Sequence, residues 1–154
     1  MILILTQSSK TGANYKLAED CETLINHSQL ATCEIKNFDE DIDINKYDVF
    51  IMIVPEWNRS IPYTLKSLID NSGWPSAFKD KDVFTIGTSG SIGGNMIGLS
   101  HLNDILDYIG AHVRKPKVYI ENIKDFDKNS ESAKITSDLI SRIIQRACLT
   151  HSRN

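Results

Sequence analysis

An unbroken run of six apolar residues at 49–54, Val-Phe-Ile-Met-Ile-Val, constrains the fold of this chain more than any other feature. Because polar and apolar side chains do not alternate, the run predicts a strand covered on both faces, as in a parallel sheet flanked by helices. The polar and aromatic octapeptide Pro-Glu-Trp-Asn-Arg-Ser-Ile-Pro follows directly at 55–62. Ligands of such sheets bind beyond the carboxyl ends of the strands, so the octapeptide is a predicted binding loop.

Apolar strands and amphipathic helices alternate along residues 1–154, which predicts one three-layer α/β domain. The last helix, expected over 131–149, has apolar side chains from Ile135 to Ala147 at helical spacing and is expected to bury them. Ser60 is expected to cap the helix that follows the octapeptide. The five predicted strands lie at 1–6, 32–36, 49–54, 83–88 and within 113–120.

The connection between the second and third strands is unusually short. It comprises only residues 37–48, whereas a parallel crossover normally carries a helix of its own. We therefore expect a single turn there, or no helix at all. Its acidic residues at 39–43 are interpreted as a solvated loop, because the glycine-containing spacing of a calcium loop is absent.

Composition and charge exclude several classes of function. The net charge of −3 and the absence of a basic run argue against a nucleic-acid partner. No signal peptide core or bilayer-length apolar stretch is present, which predicts a cytoplasmic protein without a membrane partner. Three widely spaced cysteines predict free thiols and no metal site, and the histidines form no catalytic triad pattern. Any chemistry would therefore come from a cofactor.

Two further loops accompany the octapeptide at the same predicted edge of the sheet. Residues 8–14 offer hydroxyls, backbone amides, an ammonium and a helix N-terminus, a combination that suits a phosphate. An ordinary polar turn is the alternative, since the P-loop and dinucleotide fingerprints are absent. Residues 88–95 contain three glycines within five residues, which permits close approach to a ligand or only a flexible helix start. For Trp57 the alternative is packing in the core, with Asn58 in a left-handed turn.

These segments resemble the NADPH-dependent FMN reductase family, which includes azoreductase-like and quinone-reductase-like members, over nearly the whole chain. The octapeptide is similar to the family's flavin loop, PEYNxSIP, with Trp57 where tyrosine is usual, and it is followed by LKSLID at 65–70. TSGSIGG at 88–94 resembles the family's Gly-rich loop. Residues 8–18 look like its phosphate loop, GSxRxxSxNxxLA, without the initial Gly-Ser and with Lys10 in place of the arginine.

The resemblance implies a flavodoxin-like three-layer sandwich with a five-stranded parallel sheet in the order 2-1-3-4-5, the helix between strands two and three being shortened or missing. It also implies FMN bound noncovalently. By position, the phosphate would be held by Ser8, Lys10, Gly12 and Asn14. The flavin ring would be bordered on one side by Pro55, Glu56, Trp57 and Asn58, and on the other by Ser89, Gly90, Gly93 and Gly94.

The implied function is that of an FMN-dependent NAD(P)H oxidoreductase whose acceptor is a flavin, quinone, azo compound or similar small molecule. No catalytic side chain is expected, because the protein would supply orientation and electrostatics. Two alternatives stay open: a flavodoxin-like electron carrier that serves a protein partner, and a non-catalytic flavin- or nucleotide-binding module. The short connection at 37–48 is expected to leave apolar sheet surface uncovered, which predicts a homodimer or homotetramer.

Overall fold

The computed structural model describes residues 1–125 and 130–152. Its strands all pair in parallel, in the order β2-β1-β3-β4-β5, with β6 also paired to β4. This confirms the predicted strand order. The strands are β1 (Ile2–Thr6), β2 (Cys33–Asn37), β3 (Val49–Pro55), β4 (Asp82–Thr88), β5 (His112–Val113) and β6 (Val118–Ile120). The helices are α1 (Ala13–Ser28), α2 (Tyr63–Asp70), α3 (Met96–Tyr108) and α4 (Glu131–His151).

The fifth strand expected within 113–120 is divided into two short pieces. β5 pairs with the start of β4, where His112 lies opposite Asp82, and β6 pairs with its end, where Val118 lies opposite Ile86. Pro116 lies between the pieces, and a proline has no N–H to donate to a sheet ladder. Together β5 and β6 occupy the single edge position that the sequence predicted.

Both faces of the central strand β3 are buried, as the run at 49–54 predicted. Val49, Ile51 and Ile53 pack with α1 and α4 in one hydrophobic cluster. The alternate residues, Phe50, Met52 and Val54, pack with α2 and α3 in the other. Because side chains of a strand alternate between faces, an apolar run with no polar member forms the centre of both layers.

A single 3₁₀ turn at Ile44–Lys46 replaces the crossover helix between β2 and β3, so the prediction of a shortened connection is confirmed. The accompanying expectation of uncovered apolar sheet surface is wrong. Leu3 and Leu5 are fully buried, because Phe38, Ile44 and Tyr47 from the connection pack in their cluster. The connection thus covers the sheet with three large side chains instead of a helix.

Tyr47 closes this covering layer through its hydroxyl as well as its ring. The hydroxyl donates a hydrogen bond to Glu34 Oε2 at 2.7 Å. Burial and this hydrogen bond raise the pKa of Tyr47 to about 12. The phenol therefore stays protonated and bonded throughout the physiological pH range.

Two local predictions are wrong. Ile135 is 60% exposed, because it lies five residues before the buried Ile140 and thus about 140° around the helix from it. Ser60 does not cap α2: Pro62 takes the N-cap position, and the Ser60 N–H bonds to the Trp57 carbonyl instead. Within the described part of the chain, no helix is long and apolar enough to cross a membrane.

Candidate functional site

Hydrogen bonds join the loops that follow β1, β3 and β4 at the carboxyl edge of the sheet. The Thr88 hydroxyl donates to Asn14 Oδ1 at 2.6 Å, which connects the third loop to the first. The Glu56 N–H donates to the Thr88 carbonyl at 2.8 Å, and Asn95 Nδ2 donates to the Val54 carbonyl at 3.1 Å. The three loops that the sequence singled out therefore form one connected surface.

The loop after β1 leaves the first turn of α1 open to solvent and to ligands. Gly12 is the N-cap residue, no described side chain caps the helix, and the first turn carries no acidic residue. The Gly12 N–H bonds to the Ser9 carbonyl at 2.8 Å, so the loop turns back tightly. A Cβ at Gly12 would lie 2.1 Å from Ser8 Oγ and 3.1 Å from the Ser9 carbonyl oxygen, so a larger residue there requires the Ser8 side chain to rotate away.

Asn37, at the end of the edge strand β2, holds the start of this loop. Its Oδ1 accepts the Ser8 N–H at 2.9 Å. Lys10 and Thr11 at the loop tip are exposed, and the hydroxyls of Ser9 and Thr11 lie 3.4 Å apart. Sequence reasoning missed Asn37, which is adjacent to the loop only because β2 pairs with β1.

The octapeptide forms a tight hairpin instead of packing into the core. The backbones of Trp57 and Ser60 exchange both hydrogen bonds, each at 3.0 Å, and Asn58 and Arg59 between them have φ angles of 50° and 63°. Trp57 is 39% exposed, so the alternative of core packing is wrong for it, whereas the left-handed turn at Asn58 is observed. The Trp57 ring lies beside that of Tyr63, with centroids 5.8 Å apart.

The backbone of this hairpin is strained at a position where glycine would relieve the strain. Arg59 adopts a left-handed φ at a position where turns of this kind prefer glycine, at a cost of roughly 1–2 kcal/mol. Gly98 of α3 accommodates the hairpin, because a Cβ there would lie 2.8 Å from the Ser60 carbonyl carbon. Backbone strain held in place by its surroundings is common at ligand sites.

The loop after β4 is internally braced and is not a flexible helix start. The buried Ser89 hydroxyl donates to the Ser91 carbonyl and accepts the Gly94 N–H at 3.1 Å. The Gly93 N–H bonds to Glu121 Oε1 at 2.8 Å. Ser89 and Gly94 therefore shape the loop from inside, while Gly90 and Ser91 lie exposed on its outer side.

Asn95 ends this loop in a conformation that sequence reasoning did not anticipate. It is fully buried with φ 62°, and its Oδ1 has no hydrogen-bond partner among the described residues. Its Nδ2 fixes the end of β3, so the Gly-rich loop and the octapeptide keep one relative position. The sequence contained one signal of this conformation, an asparagine directly after two glycines, because asparagine tolerates a left-handed backbone better than most residues.

Comparison with known proteins identifies the family. A model of the NADPH-dependent FMN reductases matches residues 34–125, more than half of the chain, including the octapeptide and the Gly-rich loop. The chain belongs to the NADPH-dependent FMN reductase family. The match confirms the predicted family.

One sequence relative is a 2-hydroxy-1,4-benzoquinone reductase from a Burkholderia species, 33% identical over 79 residues. The match covers 49% of this chain and 43% of the relative, so the chain spans less than half the length of that protein. It therefore carries no statement about the activity of the whole chain.

Solved structures confirm the flavodoxin-like fold of this reductase family member. FerB, a flavoenzyme NAD(P)H:(acceptor) oxidoreductase from Paracoccus denitrificans, has a TM-score of 0.73 at 20% identity, with 96% of this chain and 94% of that chain covered. An oxidoreductase from Corynebacterium diphtheriae reaches 0.76 at 14% identity over 96% and 94% of the two chains. A Megasphaera elsdenii flavodoxin reaches 0.69 at 18% identity over 92% and 99%.

The residues present fit FMN at both ends of the site. At one end, the uncapped α1 N-terminus, the Ser9 and Thr11 hydroxyls and Lys10 form a donor set for a phosphate dianion. At the other, the partly exposed ring of Trp57 offers an apolar plane, and Gly90 and Ser91 of the Gly-rich loop are exposed.

Proposed function

We propose that this protein is an FMN-dependent NAD(P)H oxidoreductase that passes electrons to a small acceptor, namely a quinone, an azo compound or a free flavin. The observation that carries the proposal is the hydrogen-bonded union of three loops, centred on Thr88, which bonds to both Asn14 and Glu56. The residues proposed to hold the phosphate and those proposed to border the flavin ring therefore belong to one connected surface. Family membership supports the same reaction class.

In this proposal the phosphate is held by Ser8, Lys10, Gly12 and Asn14 together with the first-turn amides of α1. The ring is bordered by two groups of residues. On one side these are Pro55, Glu56, Trp57 and Asn58, and on the other Ser89, Gly90, Gly93 and Gly94.

Bound FMN supplies the hydride chemistry, and the chain supplies orientation and a shaped surface. The strained hairpin at Trp57 and Ser60 and the braced Gly-rich loop are held before ligand arrives, which lowers the entropic cost of binding. No side chain is assigned as acid or base.

The proposal is tested by measuring NAD(P)H oxidation by the purified chain with 1,4-benzoquinone as acceptor, with and without added FMN. We expect turnover that saturates with FMN and with the quinone, because both electron transfers pass through the bound cofactor. The quinone is chosen because the Burkholderia relative is named a benzoquinone reductase. Bound FMN that accepts no electrons from NADH or NADPH would overturn the proposal and favour a flavodoxin-like carrier instead.

We further propose that residues 1–154 form one domain and that the chain assembles as a homodimer or homotetramer. The support for assembly is a set of exposed aromatic side chains near α2 and α3, since Trp74 and Tyr108 are 81% and 79% exposed and their rings lie 6.5 Å apart. Sedimentation velocity is expected to show an oligomer, and a monodisperse monomer at micromolar concentration would contradict it. The cytoplasmic location stays a prediction.

A further inference from the structure

A cavity lies at the amino edge of the sheet, at the opposite end of the strands from the three loops of the candidate site. It has a volume of about 480 Å³ and lies between the segment that follows β5 and the last turns of α4. Asp82, the first residue of β4, lines it, which fixes its position at this edge. A volume of this size is within the range of small-molecule sites.

One wall of the cavity is the interrupted edge strand. The last pair of β5 joins Val113 to Val83, and the first pair of β6 joins Val118 to Ile86. Between these pairs the edge chain advances five residues, from 113 to 118, while β4 advances three, from 83 to 86. The two additional residues bulge from the sheet, and extra residues in a strand re-aim the neighbouring side chains. Residues 114 and 115 of this segment line the cavity.

The charge lining this cavity is predominantly positive. Arg114, Lys115 and Arg146 line it, and Asp82 is the one acidic residue of the described chain that does so. Asp82 forms an ion pair with Arg114, whereas Lys115 and Arg146 take part in none of the ion pairs within the described ranges. Three cations and one carboxylate leave an excess of two positive charges. The nearby C-terminal end of α4 opposes this excess with only roughly half an elementary charge.

An independent observation is that both guanidinium groups are held in place by the protein while most of their donors stay free. Arg114 Nε donates to Oδ1 of Asp82, which is 5% exposed. Arg146 Nη1 donates to the Lys115 carbonyl at 2.8 Å. Their remaining guanidinium nitrogens make no hydrogen bond within the described part of the structure. A guanidinium carries five N–H donors in a planar fork, so these two are already positioned to bind the oxygens of an anion.

Leu149 of α4 gives the cavity an apolar side. It is 43% exposed and lines the cavity next to the arginines. A concave surface of one sign of charge concentrates ions of the opposite sign, and an exposed apolar side chain beside it favours an anion with a hydrocarbon part over a bare ion.

We propose that this cavity binds a small organic oxyanion, a carboxylate or phosphate group on a short apolar body. Its oxygens accept hydrogen bonds from Arg114, Lys115 and Arg146, and its body lies against Leu149. The site is separate from the proposed flavin surface and does not depend on FMN or NAD(P)H.

The test is a titration of the full-length, isotope-labelled chain with matched probes, followed by the NMR shifts of backbone amides with and without saturating FMN. The probes share one hydrocarbon group: 3-methylbutanoate, 3-methylbutyl phosphate and the neutral 3-methylbutan-1-ol. We expect saturable shifts at residues 112–118 and 144–151 for the two anions, with binding of the alcohol weaker by about tenfold or more. The tighter of the two anions identifies the oxyanion that the site prefers. Equal binding of anions and alcohol, or no saturable shift in these segments, would overturn the proposal.

Variants separate the two walls of the site. Lys115→Gln is expected to weaken anion binding about three- to tenfold, an effect that shrinks at high salt because the ammonium is exposed. Its melting temperature is expected to stay unchanged, since the Lys115 side chain makes no hydrogen bond or ion pair within the described residues. Arg146→Gln is expected to weaken binding about tenfold.

Arg142→Gln is the matched control, because it removes an exposed arginine one turn earlier on α4 that does not line the cavity. Its affinity for both anions is expected to equal that of the wild type. An Arg142→Gln effect as large as that of Arg146→Gln would show a nonspecific charge effect and refute the site.

Discussion

Gly94→Ala is expected to lower the free energy of unfolding by about 2–4 kcal/mol and to weaken FMN binding more than tenfold. Gly94 has a φ of 54°, which a side chain adopts only at a cost, and a Cβ there would lie 2.7 Å from the backbone nitrogen of Ile120. It would also lie 2.7 Å from Tyr119 Cβ, and neither of these atoms is the end of a flexible side chain, so the loop itself must move. Moving it breaks the bond between the Gly94 N–H and Ser89 that braces the loop.

Gly90→Ala is the matched control in the same loop. A Cβ at Gly90 meets no heavy atom within 4 Å, and its φ lies outside the left-handed range, so the free energy of unfolding is expected to stay near that of the wild type. Urea unfolding compares the stability of both variants, and fluorescence titration measures the FMN affinity of Gly94→Ala. If Gly94→Ala binds FMN as tightly as the wild type does, the loop after β4 does not border the ring.

Asn14→Asp is expected to weaken FMN binding about 10- to 100-fold while leaving riboflavin binding nearly unchanged. The Asn14 amide accepts the Thr88 hydroxyl through Oδ1, which leaves its Nδ2 donor available at the start of α1. Aspartate keeps the acceptor but replaces that donor with a negatively charged oxygen. This charge repels a phosphate dianion held at the helix N-terminus and does not act on a flavin that lacks the phosphate.

Asn26→Asp introduces the same change of charge near the other end of α1 and serves as the control. Its FMN affinity is expected to match that of the wild type. Equal losses of FMN and riboflavin affinity in Asn14→Asp would instead mean that residues 8–14 do not hold the phosphate. The family match begins at residue 34, so this experiment tests the part of the site that the match does not include.

The sequence predicted the sheet well because strand burial is encoded locally. In the run at 49–54 every residue faces one of two apolar layers, so its pattern alone indicates a central strand. The strand order was not encoded in this local pattern and was predicted from the family resemblance carried by the loops. The division of the last strand into β5 and β6 was less accessible, since only Pro116 indicated it.

What the sequence did not reveal depends on residues that are distant along the chain. Asn37, Thr88 and Glu121 support the loops of the site, and each contacts a segment at least 28 residues away. The sequence analysis also did not predict that Phe38, Ile44 and Tyr47 cover the sheet. It expected a connection without a helix to leave apolar sheet surface exposed. Large side chains from one turn were sufficient to bury Leu3 and Leu5.

The visible absorption spectrum of the purified chain, recorded before and after addition of FMN and followed by titration to saturation, tests the central claim most directly. The account predicts a flavin spectrum perturbed by binding, saturation at a single FMN for each chain, and weaker binding of riboflavin because it lacks the phosphate. A chain that carries no flavin, does not change the spectrum of added FMN and shows no FMN-dependent NAD(P)H oxidation would contradict it.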